Sequence, residues 1–388
     1  MTQDLVVFWF VINVLVLTLS LPRSLFCRNQ SFVTHREVLD YLVEYQNDYD
    51  LAQYISLGST VKHLRVLKDQ MSCVSTRDGQ LPKIEVGWEH KGQTRAEAFD
   101  AVCVANGHFS VPSIPKLDGI ENFKGRTMHS IEYDDPSEFE SQTVLCIGGR
   151  ASGSDLAREM SFHAKHVYLS ESIAKQAQTE ENVTLVPRTI GIREDGSVEF
   201  AKDCPLSPAV DVIVYCTGYD YSMPFIDQES GIELSVVPGE RRVAPLYNQI
   251  WHAMYPNLSF VGLQHSVVPF PLFEMQLEAI VHEWTAKKLP SQEERVAIAE
   301  AESTAGGLRK TGKIKDTHHL GARQWEYCRN VAKHADLYDD DMERYIKTNE
   351  VRKNRTYLQS FVRLLVFQSF SGLSSPCLLS FCKIHSGC

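Results

Sequence analysis

The stretch TVLCIGGRASGSDLAREMSFHAKHVYLS, residues 143–170, decides the fold class. TVLCI is an apolar run that reads as a buried strand, ASGSDLAREMSF reads as a helix, and HVYLS reads as a second buried strand. A strand, a helix and a strand in that order imply a parallel sheet and an α/β domain. Gly148 and Gly149 stand between the first strand and the helix, and Gly153 lies near the helix start. Gly148 permits a tight turn and Gly153 permits close packing of helix on strand, which sets a dinucleotide pyrophosphate on the helix N-terminus. Arg150 occupies the place of the middle glycine in G-x-G-x-x-G. On these residues alone, a glycine-rich turn of an ordinary α/β domain stays open as the alternative.

Working outward, VDVIVYCTGYD (210–220) reads as another buried strand followed by glycine. On the N-terminal side, HREVLDYLVEYQNDYDL (35–51) has helical spacing, with Val38, Leu39, Leu42 and Val43 on one side, and reads as a surface helix. From Val61 to Val104 the runs VKHLRVLKD, KIEVGWEH and FDAVCVANG, broken by the turn at Arg77-Asp78-Gly79, predict a small sheet ending in a buried strand. Gly107 to Tyr133 is rich in Pro, Gly and polar residues and reads as a connection between domains. LSFVGL (258–263) is strand-like, and from Leu272 a long helical stretch is followed by charged helices to about Tyr357.

The chain has 388 residues, 43% hydrophobic and 23% charged, a folded-protein composition. The net charge of -10 is spread along the chain, which argues against a nucleic-acid surface. Ten cysteines occur without a C-x-x-C pair, so neither a metal site nor a disulfide framework is suggested and a reducing compartment is favoured. Leu5 to Leu21 is almost wholly apolar, yet as a helix it would reach about 25 Å against a hydrocarbon core of about 30 Å. Three readings stay open for it: a short membrane anchor, an uncleaved or poor signal, and an unnatural start. The apolar tail from Phe361 to Cys382 carries Arg363, Gln368 and Pro376, and reads either as a peripheral membrane contact or as a disordered or mistranslated tail.

A more specific string lies in the connection. Phe123-Lys124-Gly125-Arg126-Thr127-Met128-His129-Ser130-Ile131-Glu132-Tyr133 fits F-x-G-x-x-x-H-x-x-x-[FY], and in it the chain resembles the flavin-containing monooxygenases, whose identifying motif this is. The resemblance runs in order through HREVLDYLVEY, VCVANGHFSVPSIPKLDGI, the motif, GGRASGSDLA, IVYCTGYDYSMPF and LSFVGLQHSVVPFPLFEMQ, about Ser31 to Tyr357. The family's plant-type branch tolerates a residue such as Arg150 in the turn. The resemblance implies an α/β protein with two Rossmann-like domains. An FAD domain would comprise 31–110 and 211–357, with a linker at 111–141 and an inserted NADP domain at 142–210, between an N-terminal segment (1–30) and a tail (358–388). It also implies FAD and NADP as cofactors, with NADPH and O2 used to oxygenate a small-molecule amine or sulfide at nitrogen or sulfur through a C4a-hydroperoxyflavin.

Carried over by residue, Gly148, Ser152 and Gly153 would bind the NADP pyrophosphate, and Phe123, Gly125, His129 and Tyr133 would shape the linker near the nucleotide. Asn106, Thr217 and Gly218 match crossover points near the flavin, and Gln276 matches a residue on the flavin side. Catalytic residues stay unassigned. The sequence departs from the family pattern in two places. No glycine precedes Ser31, so an FAD-binding G-x-G-x-x-G is missing and the FAD domain is expected to be incomplete. After the second strand, the position that carries an arginine toward the NADP 2'-phosphate in the family is Ser172, with Glu171 beside it. An acidic residue there favours a ribose 2'-hydroxyl, hence NADH, unless Lys165 or Lys175 compensates. Two other functions stay open: an NAD(P)H-dependent flavoprotein reductase, and a degenerate or fragmentary nucleotide-binding protein without FAD. The endoplasmic reticulum membrane and the cytoplasm are both compatible with the sequence.

Overall fold

The computed structural model describes residues 35–347, apart from 77–78, 287–288, 306–311, 341 and 345. The apolar stretches at 5–21 and 361–382 lie outside the described residues. Among those described, no helix is long and apolar enough to cross a membrane. The chain divides into two compact units, one built from the residues up to His108 and from Tyr221 onward, the other from Phe109–Asp220.

The first unit opens with helix α1 (His35–Asp48) and an antiparallel sheet of β1 (Ser59–Thr76), β2 (Gly79–His90) and β3 (Gln93–Phe99). The run FDAVCVANG is shared between two sheets. Phe99 closes β3, while β4 (Val102–Val104) pairs in parallel with a distant strand, as shown below. Helix α1 forms where its periodicity placed it. Leu39, Leu42 and Val43 are exposed, whereas Tyr41 is buried and stacks on Phe270 at 5.8 Å between centroids. Tyr41, Tyr45 and Tyr49, spaced by four, run along the packed side, so aromatic area outweighs the aliphatic stripe.

The second unit holds β5 (Val111–Pro112), β6 (Arg126–His129), β7 (Thr143–Ile147), helix α2 (Ala151–Met160), β8 (His166–Ser170), β9 (Gln178–Glu180), β10 (Val183–Val186), β11 (Thr189–Ile192), β12 (Val198–Phe200), β13 (Val212–Tyr215) and β14 (Tyr219–Asp220). Six of these strands form one sheet in the order β6-β13-β7-β8-β10-β9, parallel except for β9. Two sequence expectations are corrected here. The stretch 111–141, read as a linker, supplies β6 to this sheet, and Val212–Tyr215, assigned to the returning domain, is its second strand. The alternation of side chains explains why β7 and β13 are apolar throughout. Val144, Cys146, Val212 and Val214 pack with Leu156, Ala157 and Met160 of α2, whereas Leu145, Ile213 and Tyr215 pack with Ile192, Val198 and Phe200 of the β11–β12 hairpin. Each fully buried Val or Leu stabilises the sheet by ~1.5–3 kcal/mol.

The chain returns to the first unit through β15 (Ser235–Val236), β16 (Val243–Ala244), β17 (Leu246–Tyr247), β18 (Trp251–His252) and β19 (Leu258–Phe260). The order β17-β18-β19-β4 makes a four-stranded sheet in which β19 and β4 are parallel. Helices α3 (Pro269–Ala286), α4 (Gln292–Ala305) and α5 (Gln324–His334) follow, and Leu272, Met275 and Ile280 of α3 share a core with Trp325, Cys328 and Val331 of α5.

Candidate functional site

In the six-stranded sheet the connection from β7 passes through α2 to β8 on one side, while β13 lies on the other side of β7. The gap between β13 and β7 is therefore a topological switch point, where open α/β sheets bind ligands at the carboxyl ends of their strands. Four parallel strands deliver candidate residues to that edge: His129 ends β6, Thr217 and Gly218 follow β13, Gly148 follows β7, and Glu171 follows β8.

The turn after β7 is built so tightly that side chains are excluded. Gly148 has φ +112°, and its amide donates to Ser170 O at 2.9 Å. A Cβ at Gly148 would lie 2.5 Å from Cys216 O, and one at Gly153 would lie 1.7 Å from Gly148 O. The first bonded amide of α2 is that of Ser154, which donates to Arg150 O at 2.9 Å, while the Ser154 hydroxyl donates to Gly149 O at 2.8 Å. The amides of Ala151, Ser152 and Gly153 precede that bond and have no acceptor within the helix. Ser152 is half-buried, and among the described residues its hydroxyl has no hydrogen-bond partner. Arg150 sits at the N-cap without capping the helix by its side chain. This cradle of amides, with a positive helix end, fits the pyrophosphate of a dinucleotide.

The four motif residues are structural supports of the edge. A Cβ at Gly125 would lie 2.2 Å from Asp211 O, so glycine lets β6 start against β13. Phe123 packs into the core below Leu145 and Ile213. His129 is buried, and its ring Nδ1 accepts from the Ile131 amide at 3.2 Å. That acceptor role puts the proton on Nε2, which donates to Gly218 O at 3.0 Å. Burial pushes the imidazole pKa down, against the pull of Gly218 O and Glu132, so the ring is held neutral. The Glu132 carboxylate accepts from the His129 amide at 2.7 Å and completes a capping box. Tyr133 donates to Glu159 Oε2 of α2 at 2.8 Å and stacks on Phe139. Thr217 Oγ1 donates to Ser113 O at 2.5 Å and the Ser113 amide donates to Gly218 O at 2.9 Å, tying the crossover strands together beside the β5–β14 ladder.

In the other unit, Asn106 follows β4 and its amide donates to Ser222 O at 3.1 Å. Gln276, carried over from the family as a cofactor contact, lies on α3. It is fully buried in α3, its Oε1 accepts from the Gly262 amide at 3.0 Å, and its Nε2 donates to Gln264 Oε1 at 2.8 Å and Tyr327 OH at 3.0 Å. Its polar atoms hold the end of β19. Lys165, offered as a partner for a 2'-phosphate, lies just before β8, at the opposite end of that strand from Glu171.

The sequence relatives point to one family. Residues 26–177 match the family described as flavin-binding monooxygenase-like. Flavin-containing monooxygenase FMO GS-OX-like 4 of Arabidopsis thaliana is 33% identical over 76% of this chain and 64% of its own length. These matches support a member of the flavin-containing monooxygenase family. The chain thus spans somewhat less than two thirds of the curated relative. Among solved structures, S-allyl-L-cysteine S-oxygenase from Allium sativum superposes with a TM-score of 0.69 at 29% identity, covering 87% of this chain and 77% of that one. Tmm from Pelagibacter sp. strain HTCC7211 shares the fold at a TM-score of 0.62 and 24% identity, over 80% of this chain and 67% of that one. The family's fold of two Rossmann-like domains is the architecture expected from the sequence.

Proposed function

We propose that this chain handles the nicotinamide dinucleotide of a flavin-dependent monooxygenase, taking NADPH or NADH and O2 to oxygenate a soft nucleophile, a thioether sulfur or an amine nitrogen, of a small molecule. The observation that carries the reading is the cradle at Gly148–Ser154, where carbonyl oxygens fill the space any side chain would need and three helix amides stay available. In this reading the amides of Ala151, Ser152 and Gly153 and the Ser152 hydroxyl donate to the pyrophosphate. His129 and Thr217 fix the edge on which the dinucleotide lies. A bound flavin would supply the redox and oxygen chemistry, and the protein would position the partners and exclude water. Among the described residues, the first unit has no counterpart of the Gly148 turn that brings glycines between a strand end and a helix start. The S-oxygenase name of the Allium relative favours sulfur over nitrogen as the acceptor atom.

The test is product analysis. The full chain is incubated with FAD, NADPH or NADH, O2 and a thioether or tertiary-amine substrate, and the sulfoxide or N-oxide is sought by mass spectrometry. Oxygenated product that depends on both nucleotide and FAD supports the proposal. Dinucleotide binding without product leaves the nucleotide-binding reading in its place, and reduction of flavin without oxygenation leaves the reductase.

A further inference from the structure

The residue that follows β8 decides which dinucleotide the turn accepts. The Glu171 amide donates to Val186 O at 2.9 Å, which anchors its backbone beyond the β8–β10 pairing. From there the side chain folds over the glycine turn. A Cβ built on Gly149 would lie 2.8 Å from Glu171 Cβ and Cδ and 2.9 Å from its Oε2. The carboxylate is therefore in contact with the phosphate turn, on the neighbouring parallel strand and about 20 residues beyond the glycines, where a dinucleotide-binding domain presents its adenosine ribose. A carboxylate accepts hydrogen bonds from the ribose diol and repels a 2'-phosphate.

The surrounding cations do not reverse this. Burial raises the Glu171 carboxyl above its usual value, and the opposing charge of Arg150 does not cancel that push. Lys202 directs its ammonium to Ser172 O at 3.3 Å and Ala174 O at 2.5 Å, holding the segment after β8 by its carbonyls. Lys165 is at the far end of the strand, and Lys175 is exposed on the following segment. Ser172, beside Glu171, is uncharged and exposed.

We infer that Glu171 makes this site select NADH over NADPH, by accepting the ribose hydroxyls and excluding a 2'-phosphate. This inference rests on the dinucleotide reading of the site. Direct binding tests it without requiring turnover. NADH and NADPH are titrated into the full chain at low salt, with nicotinamide fluorescence or calorimetry giving each Kd. The wild type is expected to bind NADH at least tenfold more tightly. Glu171→Ser is expected to tighten NADPH and bring the ratio near one, and Glu171→Arg to invert it. Glu171→Gln keeps the shape of the side chain and should also narrow the ratio, and a circular dichroism melt shows that each variant is folded.

Equal or tighter NADPH binding by the wild type overturns the inference, as does a ratio that Glu171→Ser and Glu171→Gln both leave unchanged. If Arg150 instead grips the 2'-phosphate, NADPH is preferred and Arg150→Gln removes the preference, which is the same refutation with its cause identified. Failure to bind either nucleotide is a separate result and refutes the dinucleotide reading together with this inference.

Discussion

Replacing Gly153 by alanine should damage the nucleotide cradle more than any other single-methyl change in the second unit. A Cβ there meets Gly148 O at 1.7 Å, Gly148 C at 2.9 Å and Cys216 Cβ at 3.3 Å, and real Cβ contacts stop near 3.0 Å. The helix start and the turn must therefore separate by about 1.3 Å. The two nearest obstacles are backbone atoms of Gly148, and the third is the Cys216 Cβ, which does not move when the side chain rotates, so no rotamer change relieves them. An overpacked site of this kind costs about 1–3 kcal/mol. A displacement above 1 Å also carries the α2 amides out of the ~2.7–3.2 Å range of a good hydrogen bond, so dinucleotide affinity should fall tenfold or more. The sign is diagnostic, because in an unobstructed helix the same substitution stabilises by ~1 kcal/mol. Chemical denaturation and a fluorescence titration with reduced nucleotide read the two effects. A Gly153→Ala protein as stable as wild type, with unchanged affinity, would refute the close-approach argument.

Three further outcomes follow from the described contacts. His129→Ala removes a cap acceptor and the donor to Gly218 O and should lower stability by ~2 kcal/mol in a denaturant titration, with His129→Asn restoring part of it through the cap; equal losses in both variants would contradict the capping role. Gln276→Leu leaves the Gly262 amide without its acceptor and should cost about 1–3 kcal/mol of stability, while dinucleotide affinity in the folded fraction stays unchanged; a selective loss of cofactor binding would place Gln276 at the site. In the first unit, burial holds His318 and His265 down to about 3 and His252 down to about 4, whereas burial lifts Glu302 to about 7. Each histidine contributes stability that is fully present above its unfolded value of about 6.5 and is lost as pH falls, because the unfolded chain binds the proton first. Glu302 runs the other way between about 4.5 and 7, since it binds its proton first in the folded state. Three groups against one leave stability falling by about 2–3 kcal/mol per pH unit between pH 6 and 5. Denaturant midpoints from pH 8 to 5 check this, and a flat profile would contradict it.

The phosphate turn was legible because each of its signals is local: an apolar strand, glycines at fixed offsets and a helix within 28 residues. Strand β6 was not legible, because Arg126-Thr127-Met128-His129 has one aliphatic side chain in a Pro- and Gly-rich stretch. Its partner β13 lies more than eighty residues away. For the same reason the motif histidine could be recognised while its work could not, since Gly218 O reaches it only when β13 docks on β6. The packed side of α1 was not legible from aliphatic spacing, because Tyr41 stacks on Phe270 from a helix more than two hundred residues later. The protein partners of Gln276 were not legible either. Its partners Gln264 and Tyr327 are ordinary polar residues in sequence and become a closed network only once α3 and α5 pack together.

The proposed function depends on flavin as the cofactor. The most direct measurement is the absorbance spectrum of the purified full chain after incubation with excess FAD and desalting, followed by anaerobic addition of NADH or NADPH. The account expects retained flavin bands near ~450 nm that bleach when the reduced nucleotide is added. A protein that stays colourless, or a bound flavin that neither nucleotide reduces, would contradict the claim that this chain works as a flavin-dependent monooxygenase.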